Sequence, residues 1–207
     1  MTGPHSMADE RPAAVERPGR LGGTYGNELL TSATAAALTA LLLAEGVTVV
    51  RMEGLVGTHM FIGLALIPPI VLKLASTGYR FVRYYTGNRA YTAKGPPQLA
   101  LRLLAPVLVA ATIVLFTTGV LLLAAGHKSG ALIEIHKVSF IVWGALFAVH
   151  FLAYGPRVVR SLGTALRATR GKAVAGAGIR GMLVAGALGG GVALAAALLP
   201  AIDSWRA

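Results

Sequence analysis

Three histidines hold most of the chemistry available to this sequence. The chain has five in all. His5 lies in a polar leading segment and His127 in a short connection, where both are expected to be solvated. His59, His136 and His150 lie inside long apolar runs. An ionisable side chain there is costly to bury in hydrocarbon and is usually retained for function. A neutral imidazole offers a nitrogen lone pair to a metal and a proton site near neutral pH. His150 follows His136 on the same run at close to four whole helical turns. The two therefore fall within about 40° of each other and about 21 Å apart along the axis. Phe140, Trp143 and Phe147 line the same stripe. Aromatic residues at that spacing are ordinarily bundle core, although tryptophan usually prefers the membrane interface to its middle. The chain has no cysteine. That excludes disulfides, thiolate zinc sites, iron–sulfur clusters and cysteine nucleophiles.

The elements that position these residues follow from composition. Of 207 residues, 55% are hydrophobic and only 13% charged, yet the net charge is +11. A soluble domain carries about 25% charged residues. The mean hydropathy is +0.68 and the pI about 10.7. A basic pI raises nucleic-acid binding, but such a protein needs a charged, wettable surface. Sparse charge, mostly positive, in an apolar chain indicates a membrane protein instead.

A helix needs about 20 apolar residues to cross the hydrocarbon core. Five runs meet this: about Leu29–Val50, Leu55–Ser76, Leu99–Ala125, Ala131–Tyr154 and Gly181–Leu199. The fold class is therefore all-α, an integral membrane helical bundle. The fifth run is rich in Gly and Ala, with Gly186 and Gly190 at the spacing that permits close helix packing. Residues 1–27 are polar, rich in Pro and Gly, and read as a disordered tail. They lack the apolar core of a signal peptide. Residues 28–155 hold the first four spans. Residues 156–180 form a basic linker in which Val158, Val159, Leu162 and Leu166 fall near one face, suiting either an interfacial helix or a flexible segment. Residues 181–207 hold the fifth span and a short tail.

Charge sets the orientation. Arg80, Arg83, Arg89 and Lys94 lie between the second and third spans, and Arg157, Arg160, Arg167, Arg170, Lys172 and Arg180 between the fourth and fifth. The alternate connections carry little more than Arg51 and Lys128. Cytoplasmic loops are the basic ones. The N-terminus is thus expected inside and the C-terminus outside, with the basic excess almost wholly on the inner face, where it attracts anionic lipid. Tyr79, Phe81, Tyr84, Tyr85 and Tyr91 crowd the first inner loop as an aromatic belt would.

In this topology His59 and His136 each lie little more than a turn into a helix that starts outside. They share one depth near the outer leaflet, on parallel helices. The chemistry that needs a histidine at equal depth on each of two helices is a b-type haem, whose iron takes one imidazole on each axial side. Gly63 and Gly144 are expected to leave room for the macrocycle. Arg51, Lys128 and Lys137 are candidates to meet its propionates.

Two histidines four turns apart on one spanning helix resemble the membrane cytochrome b pattern. The chain also resembles small four-helix cytochrome b proteins of actinobacterial type. The likeness runs from His59 through Pro68–Pro69 to Lys73 and on through Ala75, Ser76, Thr77, Gly78, Tyr79 and Arg80. It continues in Lys94–Gly95–Pro96–Pro97 and in His136–Lys137–Val138–Ser139–Phe140. It covers about residues 29–155 and implies a four-helix haem core, with the fifth helix outside it, in a bacterial plasma membrane. One departure matters. The two-haem pattern needs a second histidine after His59 at the spacing that separates His136 from His150, and that position is Lys73. One haem b is therefore expected, bound by His59 and His136. Lys73 is expected to snorkel to the inner surface. His150 either completes a second, poorly ligated haem site or hydrogen-bonds between helices.

Such a protein passes single electrons between the quinone pool and an outer-face redox partner, as the electron-transfer subunit of an oxidoreductase. Two haem-free readings compete: a small transporter, with Pro68–Pro69 and Pro106 breaking the second and third spans, and a non-catalytic anchor subunit. No flavin or nicotinamide motif is present.

Overall fold

The computed structural model describes residues 22–95, 99–126, 129–168 and 175–206. Most of the expected tail lies outside them, as do His5, His127, Lys128, Pro96–Pro97, Arg170 and Lys172. The described chain is helical throughout: α1 (Gly23–Val50), α2 (Met52–Tyr85), α3 (Arg89–Thr92), α4 (Leu99–Ala125), α5 (Gly130–Ala168), α6 (Ala177–Ala197) and α7 (Leu199–Arg206). Five of these helices are long and apolar enough to cross a membrane. The architecture is an all-α membrane bundle.

The helices overrun the boundaries that hydropathy sets. α1 starts at Gly23, so the last residues of the expected 1–27 tail are helical, with Gly26 and Asn27 buried. α2 runs on to Tyr85, so the first part of the expected loop is helix. α5 continues through Pro156 to Ala168, taking up much of the expected 156–180 linker. The fifth span is followed by α7 rather than a plain tail. Hydropathy marks where side chains turn polar. The backbone keeps its own hydrogen bonds by staying helical through the interface.

The prolines do not break the spans. Pro68 and Pro69 lie inside α2 and Pro106 inside α4. The non-helical backbone of α2 is at Leu55 instead (φ −122°, ψ 15°), just past the one-residue junction Arg51. A proline at position i cannot donate to the carbonyl at i−4, so Pro69 frees the Ala65 carbonyl. α6 packs along α2 at that point. A Cβ on Gly191 would run into the Ala65 carbonyl oxygen and carbon. The fifth span thus sits against the backbone that Pro69 leaves open. Gly186 and Gly190, the expected contact glycines, face open space. Leu64, Ala65, Ala195 and Ile202 form a buried cluster around the crossing.

α1 packs closely along α2, and α4 along α5, as two antiparallel hairpins. The hairpins meet each other less intimately, mainly through α1 with α5 and α2 with α4. One end of the bundle holds Arg51, and Trp205 of α7 donates there to the Leu122 carbonyl at 3.1 Å. The other end holds α3, where Lys94 pairs with Glu28 at 2.9 Å and the Tyr79 and Tyr91 rings meet edge-on at 6.0 Å. Partial burial and the nearby Tyr79 hold the Tyr91 phenol above its ordinary pKa.

Gly191→Leu is expected to destabilise the protein by about 1–3 kcal/mol through this backbone clash. Gly186→Leu, facing open space, is expected to change stability little. Thermal unfolding in detergent separates the two, and equal effects would remove Gly191 as the contact point.

Candidate functional site

His59 comes from α2 and His136 from α5, one from each hairpin. Their ring centroids lie 6.4 Å apart with the planes at 72°. The equal depth expected from sequence is thus a direct approach in space, across the junction between the hairpins.

Each ring is held by its own hairpin. His59 Nδ1 lies 2.9 Å from Glu45 Oε1 on α1. The Thr48 hydroxyl lies 3.3 Å from the same nitrogen. That hydroxyl also bonds the Glu45 carbonyl at 2.6 Å and Glu45 Oε2 at 3.1 Å, which fixes the carboxylate. On the other hairpin, His136 Nδ1 lies 2.9 Å from Thr118 Oγ1 on α4. Thr118 spends its single proton on the Leu115 carbonyl at 2.9 Å. Its oxygen can then only accept, so His136 must donate from Nδ1. A carboxylate beside His59 Nδ1 imposes the same choice there. On each hairpin an oxygen thus faces Nδ1, which favours the tautomer protonated at that nitrogen. Among the described residues neither Nε2 has a hydrogen-bond partner. Pinning one ring nitrogen so that the other is presented is the usual outer-shell arrangement of ligating histidines.

Gly119 makes room for this. A Cβ there would lie 3.2 Å from His136 Cε1. The expected glycines do less: Gly63 borders the Glu45 carboxylate, and Gly144 faces open space. Of the expected propionate partners, Lys137 pairs with Glu134 at 2.9 Å, one helical turn away on the exposed surface.

Further along, Trp143 is buried and donates from Nε1 to Thr112 Oγ1 on α4 at 2.9 Å. That bond explains a tryptophan away from the interface. The Phe140, Trp143, Phe147 and Phe151 rings follow one another at 6.5, 4.8 and 5.9 Å. His150 is not brought to the pair. Its ring lies against Tyr154 at 4.7 Å. Lys73 does not simply snorkel. Its ammonium turns into the bundle and donates to the Thr31 carbonyl on α1 at 3.0 Å, because the Asn27, Thr31 and Ser76 side chains build a polar seam between α1 and α2 there.

Sequence reading misses Glu45, Thr48, Thr118 and Thr112. Hydroxyls in spans often bond their own helix, so type alone does not mark these. For Glu45 and Thr48 the signal is position: they lie in the last two turns before the Arg51 junction, and His59 lies in the first turns after it.

Among the described residues no three His, Asp or Glu side chains converge as a metal-ion cage. A haem iron needs only two protein ligands. His59 and His136 are the two residues that would hold such an iron, and their rings are brought together across the hairpin junction. Two concavities of the surface, one around Val49–Leu55 and one lined by Ala111, Val114, Ile135 and Val138, include neither histidine.

Comparison with known protein families finds no match. Nor does comparison with curated proteins or with solved structures.

The tautomers are directly measurable. ¹⁵N NMR of histidine-labelled protein is expected to show His59 and His136 protonated at Nδ1. Thr118→Val is expected to release His136 alone to the Nε2–H form. An Nε2–H His136 in the unaltered protein would contradict the assigned bond to Thr118.

Proposed function

We propose that this chain is a membrane electron carrier that holds one b-type haem between His59 and His136. The observation that carries the reading is the histidine pair: one imidazole from each hairpin, centroids 6.4 Å apart, both with Nδ1 pinned. When bound, haem iron supplies a one-electron couple. The chain's own residues do the rest. Glu45 and Thr48 orient His59, Thr118 orients His136, and Gly119 clears the His136 ring. The Glu45 carboxylate places a charged partner beside His59 where His136 has a hydroxyl. Trp143 and its phenylalanine neighbours form the apolar wall below the pair.

The resemblance to small four-helix cytochrome b proteins agrees with two hairpins forming the site. α6, outside that likeness, packs on α2 as a buttress. In a bacterial plasma membrane, the basic residues at the α3 end, Arg80, Arg83, Arg89, Lys94 and Arg180, favour that end as cytoplasmic. The histidine pair then lies toward the outer face, suited to exchange electrons with a redox partner there and with membrane quinone.

The test is the visible spectrum of the protein purified in detergent from cells supplied with haem. A shifted Soret band with sharp reduced α and β bands is expected. His59→Ala and His136→Ala are each expected to abolish it, and His150→Ala to leave it largely intact. A colourless protein refutes the reading. Loss of half the haem on His150→Ala refutes the single-haem assignment. Glu45→Gln, which keeps a hydrogen-bonding oxygen but removes the charge, is expected to raise the midpoint potential while retaining the bands, read by redox titration.

A further inference from the structure

We propose that the turn joining α2 to α3 binds the headgroup of an anionic phospholipid that carries a free hydroxyl, with the phosphate on Arg80 and Arg83 and the hydroxyl on Asn88. This is a shaped site for one headgroup rather than the diffuse attraction of a basic face, and it stands whether or not the chain carries haem. The backbone builds the turn. α2 closes on Gly87 in the left-handed region (φ 74°). The Gly87 N–H donates to the Tyr84 carbonyl at 3.2 Å, and the Asn88 N–H to the Arg83 carbonyl at 3.1 Å. That pair of bonds is a helix ending that glycine permits. It carries the chain back so that Tyr91 of α3 meets Tyr79 of α2 at 6.0 Å. Tyr79 and Arg80 precede Arg83 by four and three residues, so they neighbour it on one flank of α2.

Two unmet polar atoms mark this turn. Among the described residues, the buried side-chain atoms without a hydrogen-bond partner are Arg83 Nε and Asn88 Oδ1. One is a donor and the other an acceptor, and they belong to the two residues joined by the 3.1 Å backbone bond. Asn88 immediately precedes α3, where an asparagine side chain ordinarily accepts from the first turn, yet it makes no such bond. Buried polar groups are nearly always paired, so each of these calls for a partner. Carboxylates of the described chain do not supply it. Glu28 pairs with Lys94, Glu45 with His59 and Glu134 with Lys137. Glu53 and Asp203 lie toward the other end of the bundle. Arg80 and Arg83 thus present two guanidinium groups about one turn apart, with no described acid paired to either.

The pattern of donor and acceptor selects the ligand. Guanidinium forks match phosphate oxygens in charge and geometry. A phosphodiester alone would satisfy Arg83 and set another acceptor against Asn88 Oδ1. The ligand therefore needs a donor beside its phosphate, which a headgroup hydroxyl provides. A soluble phosphate ester with a hydroxyl has the same polar pattern, and the neighbouring surface separates the two. Phe81, Val82 and Tyr85 are exposed on the same last turns of α2. The Phe81 and Tyr85 rings lie 4.4 Å apart, and the Arg102 guanidinium of α4 lies over the Tyr85 ring at 5.1 Å. Aromatic side chains at the end of a span sit at headgroup level, where the acyl chains begin. A lipid covers that apolar surface while its phosphate reaches the arginines, and a soluble ester does not.

The test titrates the delipidated full chain in detergent with single lipids, bound lipid being counted by native mass spectrometry. Phosphatidylglycerol is expected to bind about threefold to tenfold more tightly than phosphatidylmethanol, which has the same charge and no free hydroxyl. Asn88→Ala is expected to remove that preference. Arg80→Gln with Arg83→Gln is expected to weaken phosphatidylglycerol about tenfold or more. Arg157→Gln with Arg160→Gln, which removes the same charge from α5 at the same end of the bundle, is expected to change it little. Equal binding of the two lipids by the unaltered protein, a comparison that needs no variant to fold, overturns the headgroup assignment. Equal weakening by the two pairs of substitutions leaves only diffuse attraction and overturns the site. Displacement of the lipid by an equal concentration of glycerol 3-phosphate identifies a soluble anion as the ligand and overturns the lipid.

Discussion

Inside a bilayer a polar side chain has no water to bond, so it must find its partner within the protein or go without. The whole arrangement of this bundle depends on that constraint. The first hairpin is stitched by Asn27, Thr31, Glu45, Thr48, His59, Lys73 and Ser76. The second is stitched by Thr112 to Trp143 and Thr118 to His136. Each bond crosses between the two helices of one hairpin or ties a side chain to its own turn. The polar groups therefore hold each hairpin together and, in the same act, aim its histidine.

The junction between the hairpins is a different kind of surface. It is less intimate than the packing inside either hairpin, and it is where the two imidazoles meet. Packing alone would favour closing it with small residues. Here two imidazole rings approach each other edge to face instead. The charged partner is unequal: His59 has a carboxylate and His136 a hydroxyl. The site is consequently asymmetric in its partners although nearly symmetric in position.

The fifth span solves a backbone problem rather than a side-chain one. Pro69 deprives the Ala65 carbonyl of its helical donor. α6 brings Gly191 onto that spot, and a residue with a side chain could not come so close. This couples the helix outside the four-helix likeness to the helix that carries His59. At the opposite flank, α5 remains largely exposed along its apolar face, as lipid contact requires.

Much of this was legible in the sequence. Apolar run length decides the number of spans, because crossing hydrocarbon is a local demand on consecutive residues. Charge asymmetry separates the two ends, and helical rise places His59 level with His136 and Lys73 level with His150. Helix ends were less legible, since α1, α2 and α5 stay helical past the point where hydropathy falls. Only the tertiary structure decided the partners. Glu45 meets His59, Thr118 meets His136 and Thr112 meets Trp143, each on the neighbouring helix of its hairpin. Nothing local marks these residues among many span residues of the same type. The tertiary structure also decided that Gly191, not Gly186 or Gly190, makes the close contact, and that Lys73 turns inward. Each of these depends on how a helix is rotated about its own axis. Hydropathy is nearly blind to that rotation in a span that is apolar all round, and packing between helices sets it.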